Sequence, residues 1–258
     1  SPHMVLSSFH LLPPTLDIGG AILLVSLSFV TSAMTAAFSL GGGSMLIAVM
    51  SLMLPAAVAV PVHGFVQLGS NGGRAILRRA FIQWNLVGWF VLGSAIGAAV
   101  GGRVATYLPD TLFKTAIALF ILYGVWAPKP PIKGRTPFTV TLAGGLTSAV
   151  SMVVGISGPL VVTFLRNLDD RRPIVGTHAF LMMTQNTFKV VTFTLLGFAF
   201  SDYLPLVLGM IASGFAGTTF GGFLLDRLPE RGFRYAFRIV LTLVAVQLLW
   251  NVGSQLLR

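Results

Sequence analysis

The feature that most limits what this chain can become is a succession of apolar runs, each about 17–25 residues long and nearly free of charge, recurring from Ile18 to Trp250. A run of that length crosses roughly 30 Å of hydrocarbon as an α-helix, and lipid supplies no water to satisfy an open backbone. No segment alternates with the two-residue period of an outer-membrane barrel strand. The chain therefore reads as an all-α polytopic membrane protein whose first partner is the lipid bilayer. Only 9% of its residues are charged, against about 25% in ordinary soluble domains. It has no cysteine, which excludes disulfides and thiolate metal sites, and no cofactor or metal is expected.

The runs fall into two halves. Shifted by 115 residues, Gly43 lands on Gly158, His63 on His178, Asn71 on Asn186 and Arg74 on Lys189. At an offset of 120, the ladder Gly93, Gly97, Gly101 lands on Ser213, Gly217, Gly221, and Leu108-Pro109-Asp110 on Leu228-Pro229-Glu230. Residues 1–4 read as an expression scar, 5–127 as a first repeat, 128–136 as a proline-rich basic linker and 137–258 as a second repeat. Each repeat holds three clear spans: 57–76, 84–102 and 111–127, then 174–197, 203–223 and 234–253. An odd number of crossings predicts two inverted-topology repeats.

Charge agrees with that topology. With the linker inside, 13 of the 17 basic residues lie at or near the cytoplasmic face, among them Arg78, Arg79, Lys129, Lys133, Arg135, Arg166, Arg171, Arg231, Arg234 and Arg238. Net charge is +10 and needs no nucleic acid to explain it.

Ahead of the three spans, each half carries an interrupted segment: 18–40, glycines, then 44–54, and 138–154, "GISGP", then 160–165. The last piece is far too short to cross. A broken or re-entrant helix hairpin is expected in each half; two spanning arms would satisfy the charge rule equally. Breaks inside a bilayer survive only against protein or a water-filled cavity, so these mark a site. A half-helix beginning near Gly41-Gly42-Gly43-Ser44, and another at Ser157-Gly158-Pro159, would present N–H groups and the positive end of a dipole, which attract anions. Ser39 could add a hydroxyl. Close helix packing is the plainer use of the same glycines.

The span after each break carries polar residues. His63, Gln67, Asn71 and Arg74 follow at spacings of four, four and three and form one stripe, facing a cavity. The second half offers His178, Gln185, Asn186 and Lys189. Each has a structural alternative: Arg74 and Lys189 suit snorkelling at helix ends, the histidines suit satisfied structural positions, and Asn71 and Asn186 suit helix bridging. All seven acidic residues fall in loops or at helix ends, which leaves no buried carboxylate for a cation. The expected partner is a small anion, and no catalytic constellation is present.

With "SLGGGSM" and "VVGISGPL" each followed by "HGFVQLGSNGGRA" or "THAFLMMTQNTFK", the chain resembles the sulfite exporter TauE/SafE family of membrane permeases. The resemblance implies a multi-pass protein of the bacterial inner membrane that moves sulfite, sulfonates or related anions. By motif position it points to Gly41, Gly42, Gly43, Ser44, Ser157, Gly158 and Pro159, although Ile156 and Pro159 interrupt the glycine cluster of the second half. A secondary transporter working by alternating access around a midplane site is the expected function, with an anion channel as the alternative.

Overall fold

The computed structural model describes residues 11–38, 41–128, 134–165, 171–224, 227 and 229–258. Residues 1–4, Ser39, Lys129, Lys133, Arg166 and Leu228, named above, lie outside them, as do Asp169, Asp170 and Asp226 among the seven acidic residues. The described residues form ten α-helices: α1 (Ile18–Phe38), α2 (Gly42–Met53), α3 (Ala56–Leu77), α4 (Trp84–Tyr107), α5 (Asp110–Trp126), α6 (Pro137–Val154), α7 (Gly158–Leu165), α8 (Arg171–Leu195), α9 (Leu204–Leu224) and α10 (Glu230–Leu256). Short 3₁₀ turns precede α4 and α9.

Local chemistry sets the ends. Thr136 caps α6 by accepting from Thr139 N–H at 3.2 Å, and Pro137 takes the first turn, where its missing N–H costs nothing. Asp110 opens α5 and accepts from Ala56 N–H at 2.8 Å, so one carboxylate serves the starts of two helices. Gly197, at φ +100°, closes α8 with Phe198 N–H reaching back to Phe193 O at 2.9 Å.

Among the described residues, five helices or helical runs are long and apolar enough to cross a membrane: Ile18–Ala36, Trp84–Tyr107, Pro137–Val154, Phe200–Gly221 and Arg231–Leu256. Helices α3 and α8, at 22 and 25 residues, have the length but carry the polar stripes. Ile22, Trp89, Ile96, Leu119, Leu146, Leu208, Leu243 and Trp250 are all exposed. That apolar coat would precipitate a soluble protein and is what acyl chains require.

The interrupted segments are unequal hairpins. Helix α1, with 21 residues, reaches about 31 Å, whereas the 12 of α2 reach about 18 Å. Likewise α6 has 18 residues and α7 only 8. The long arm is membrane-length and the returning arm is a half-helix.

Helix pairing repeats itself. Helix α4 packs on α6 and α9 packs on α1, with α3 against α8 and α5 against α10. A Cβ added at Gly93, Gly97 or Gly101 would strike the carbonyl oxygens of Thr141, Gly145 and Ala149 in turn. In the other pair, Ser213 donates to Val25 O at 2.7 Å, and a Cβ at Gly217 or Gly221 would strike the carbonyls of Phe29 and Ala33. Residue numbers advance together in both pairs, so each runs parallel. Without a hydrophobic drive between helices in lipid, such backbone-to-backbone approach gives dispersion and weak Cα–H···O contacts their grip.

Candidate functional site

Helix α2 begins at Gly42, whose N–H donates to Thr35 Oγ1 of α1 at 3.1 Å, and Ser44 N–H turns back to Gly41 O at 3.0 Å. Gly41 sits at φ −69°, so the triple glycine is not there for a left-handed backbone. What it supplies is closeness. A Cβ on Gly42 would overlap Thr31 O and Thr35 Oγ1, and one on Gly43 would meet the Gln67 amide at 3.4 Å.

The second break is built differently. Gly155 ends α6 at φ +85°, with its N–H on Ser151 O at 2.9 Å, so the obligatory left-handed glycine is Gly155 rather than Gly158. Ser157 then accepts from Leu160 and Val161 N–H, both at 3.0 Å, to start α7.

Both breaks are held by histidine. His63 Nε2–H donates to Gly43 O at 2.9 Å and His178 Nε2–H to Gly158 O at 3.2 Å, each spanning 20 residues. Because α3 and α8 run antiparallel, His63 has Lys189 as its electrostatic neighbour and His178 has Arg74. Each half's histidine thus faces the other half's cation.

Lys189 does not snorkel. It is fully buried, its Nζ donates to Gly155 O at 2.9 Å, and its stem lies where a Cβ on Gly64 would fall, 2.5 Å from Cδ. An ammonium there offsets the negative end of α6. Arg74 is half-buried and folds along its own helix, its guanidinium donating to Ser70 Oγ at 3.2 Å. Lys114 pairs with Asp110 at 3.1 Å at the start of α5.

The remaining stripe residues separate into two kinds. Ser157 Oγ donates to Gln185 Oε1 at 2.6 Å, and Gln185 Nε2 reaches Thr147 Oγ1 at 2.9 Å and Ser94 Oγ at 3.1 Å. That network fastens α7 and α8 to α4 and α6. Asn71 Nδ2 donates to Gln67 O at 3.0 Å within α3. By contrast, among the described residues Asn186 Nδ2 and Ser151 Oγ are buried with no hydrogen-bond partner, and His63 Nδ1 has none within hydrogen-bond geometry. Unpaired buried polar atoms carry a cost of about 1–3 kcal/mol each, and they cluster on the elements that meet at the second break.

A cavity of about 540 Å³ joins the breaks. Gly41 and Ser44 line it from the first, Ile156 and Pro159 from the second, Phe120 and Trp126 from α5, and Arg234, Phe237 and Arg238 from α10. Of the sequence-expected residues, Gly41, Ser44 and Pro159 reach its wall. Gly42, Gly43, Ser157, Gly158 and the stripe stand behind it. Sequence reasoning did not single out Gly155, Ser151 or the two arginines as site residues. The arginines were legible only as topology charges, and Gly155 was hidden inside a run read as one break.

Fold and site define a polytopic helical membrane protein with a cavity between two broken helices. Residues 24–248 match the family model described as Sulfite exporter TauE/SafE, and the chain belongs to that family of membrane transporters. Comparison with curated proteins and with solved structures returned no match.

Proposed function

We propose that the chain is a secondary transporter of small sulfur-containing oxyanions, sulfite or sulfonates, in the bacterial inner membrane. It works by alternating access around the two helix tips. The observation that carries this reading is the cavity itself: Gly41 and Ser44 at the start of one half-helix and Pro159 at the start of the other meet there, and its charged lining is two arginines. Helix starts and guanidinium groups favour negative charge.

In this reading the two halves are inverted repeats. Support comes from the exchange of partners, α4 on α6 answered by α9 on α1, and from the twin histidine-to-glycine bonds. The second-half network through Gln185 and Ser157 positions its tip, and Lys189 and Asn186, close behind, supply donors to an anion that moves deeper. Cavity-lining residues lie toward one end of α5 and the start of α10, whereas Phe113, Ile117 and Leu248 toward the other end are buried in apolar core. An opening to one face at a time is what alternating access requires.

The test is flux. Proteoliposomes challenged with sulfite, sulfate, thiosulfate, sulfoacetate and taurine, under imposed pH and voltage gradients, should show saturable uptake and counter-exchange of at least one sulfur oxyanion. Conductance without exchange would make the protein a channel, and no flux of any anion would refute the proposal.

A further inference from the structure

The two helix tips that share the cavity are not chemically equivalent. On the first, Ser44 is 9% exposed and lines the cavity, and its hydroxyl has no hydrogen-bond partner among the described residues. A Cβ on Gly41, also in the lining, would fall 3.4 Å from that oxygen, so the hydroxyl sits at the very start of the half-helix. The N–H of Gly43, second residue of α2, makes no bond among the described residues either. Just behind it lies the half-buried Gln67 side chain, whose amide is equally unbonded there. An open first-turn N–H beside a hydroxyl turned to a hollow rather than to protein is a pair of donors with no acceptor of its own.

On the second tip the matching groups are occupied or missing. Ser157 Oγ gives its proton to Gln185 Oε1 at 2.6 Å, and Gln185 Nε2 is in turn held by Thr147 Oγ1 and Ser94 Oγ. The second residue of α7 is Pro159, which has no N–H. What this tip contributes to the lining is Ile156 and Pro159. The 115-residue offset that matches Gly43 with Gly158 thus sets the hydroxyl of Ser44 against a proline ring.

We propose that the carried anion is held by the α2 tip alone, one per chain, with the Ser44 hydroxyl as donor at the cavity wall and the Gly43 N–H beside it. The α7 tip is a wall of the same cavity without donors, fixed in place by its own network. The inference rests on the transporter reading and narrows its site from two tips to one. The positive end of the α2 dipole adds to the two donors.

The test is binding and melting of the purified full chain, with sulfite and methanesulfonate as probes and wild-type flux in vesicles alongside. Titration should saturate at one anion per chain. Ser44→Ala removes a hydroxyl that bonds no described residue, so melting without anion should stay within about two degrees while Kd rises about tenfold or more, as loss of a hydrogen bond to a charged group requires. Ser44→Thr, which keeps the hydroxyl, should recover most of that affinity. Ser157→Ala should show the reverse pattern: melting falls by several degrees, and Kd rises less than in Ser44→Ala. Two anions per chain, Ser157→Ala weakened as much as Ser44→Ala, or Ser44→Ala binding with wild-type affinity would overturn the proposal. A wild-type protein that neither binds nor carries an anion would remove the transporter reading and this inference with it.

Discussion

Lys189→Met is the most informative single change. The ammonium is fully buried, bonds Gly155 O at 2.9 Å, and sits one helical turn from the unpaired amide of Asn186. Methionine fills the same channel beside Gly64, so the volume is preserved. Stability should barely move: loss of the bond leaves one carbonyl unpaired, at about 1–3 kcal/mol, while removing a desolvated charge returns a similar amount. Anion binding is another matter. An anion that moved past the helix tips to about 5 Å from the ammonium would, at an effective dielectric constant near 20, gain roughly 3 kcal/mol, equivalent to about 200-fold in affinity. Detergent melting should therefore shift by no more than a few degrees, while anion-dependent thermal stabilisation and vesicle uptake fall by about two orders of magnitude. A Lys189→Met protein that binds and carries the anion within twofold of wild type would refute the reasoning and leave Lys189 as a cap on α6 only.

Other consequences follow from the glycines. Gly43→Ala has room at ordinary contact distance from Gln67 and should fold, with altered anion affinity, whereas Gly42→Ala collides with the backbone of α1 and should lower melting by several degrees; parallel melts and uptake of the two variants check this. Gly97→Val and Gly217→Val should each cost about 1–3 kcal/mol or more by forcing α4 from α6 and α9 from α1, seen as lost folded yield on size exclusion, with equal effects expected because the two contacts repeat each other. Lys189→Arg should melt earlier than Lys189→Met, since the groove beside Gly64 fits a methylene stem and not a guanidinium fork.

Much of this fold was legible because membrane helices announce themselves by length. The segment expected at 57–76 forms a helix, Ala56–Leu77, whose polar stripe keeps it below the apolar spans, and the span expected at 203–223 forms as Leu204–Leu224. Helix α10 begins earlier than expected, at Glu230 rather than residue 234, because its first turn is basic and escapes a hydrophobicity criterion. In the site, the 115-residue offset anticipated that His63 and His178 would be equivalent, and both do reach the glycine of their own break. Burial depth was not legible. Whether Lys189 snorkels or plugs the end of α6 depends on where α6 stops, and that depends on Gly155. Nor could one half's sequence show that Ser157 would be tied through Gln185 to Ser94, 91 residues from Gln185, since such pairings follow from tertiary packing alone. The arginines of α10 obeyed the charge rule and so attracted no second reading until the cavity placed them beside the tips.

The central claim, that both helix tips line one anion-bearing cavity open to the linker face, can be measured directly because the chain has no cysteine. Gly41→Cys and Pro159→Cys, each the only thiol, are exposed to an impermeant thiol reagent from one face at a time, with and without the sulfonate the protein carries best. Both should react from the linker face, and the sulfonate should slow both several-fold. Thiols that stay unmodified from that face, or that react at the same rate whether or not the anion is present, would contradict it.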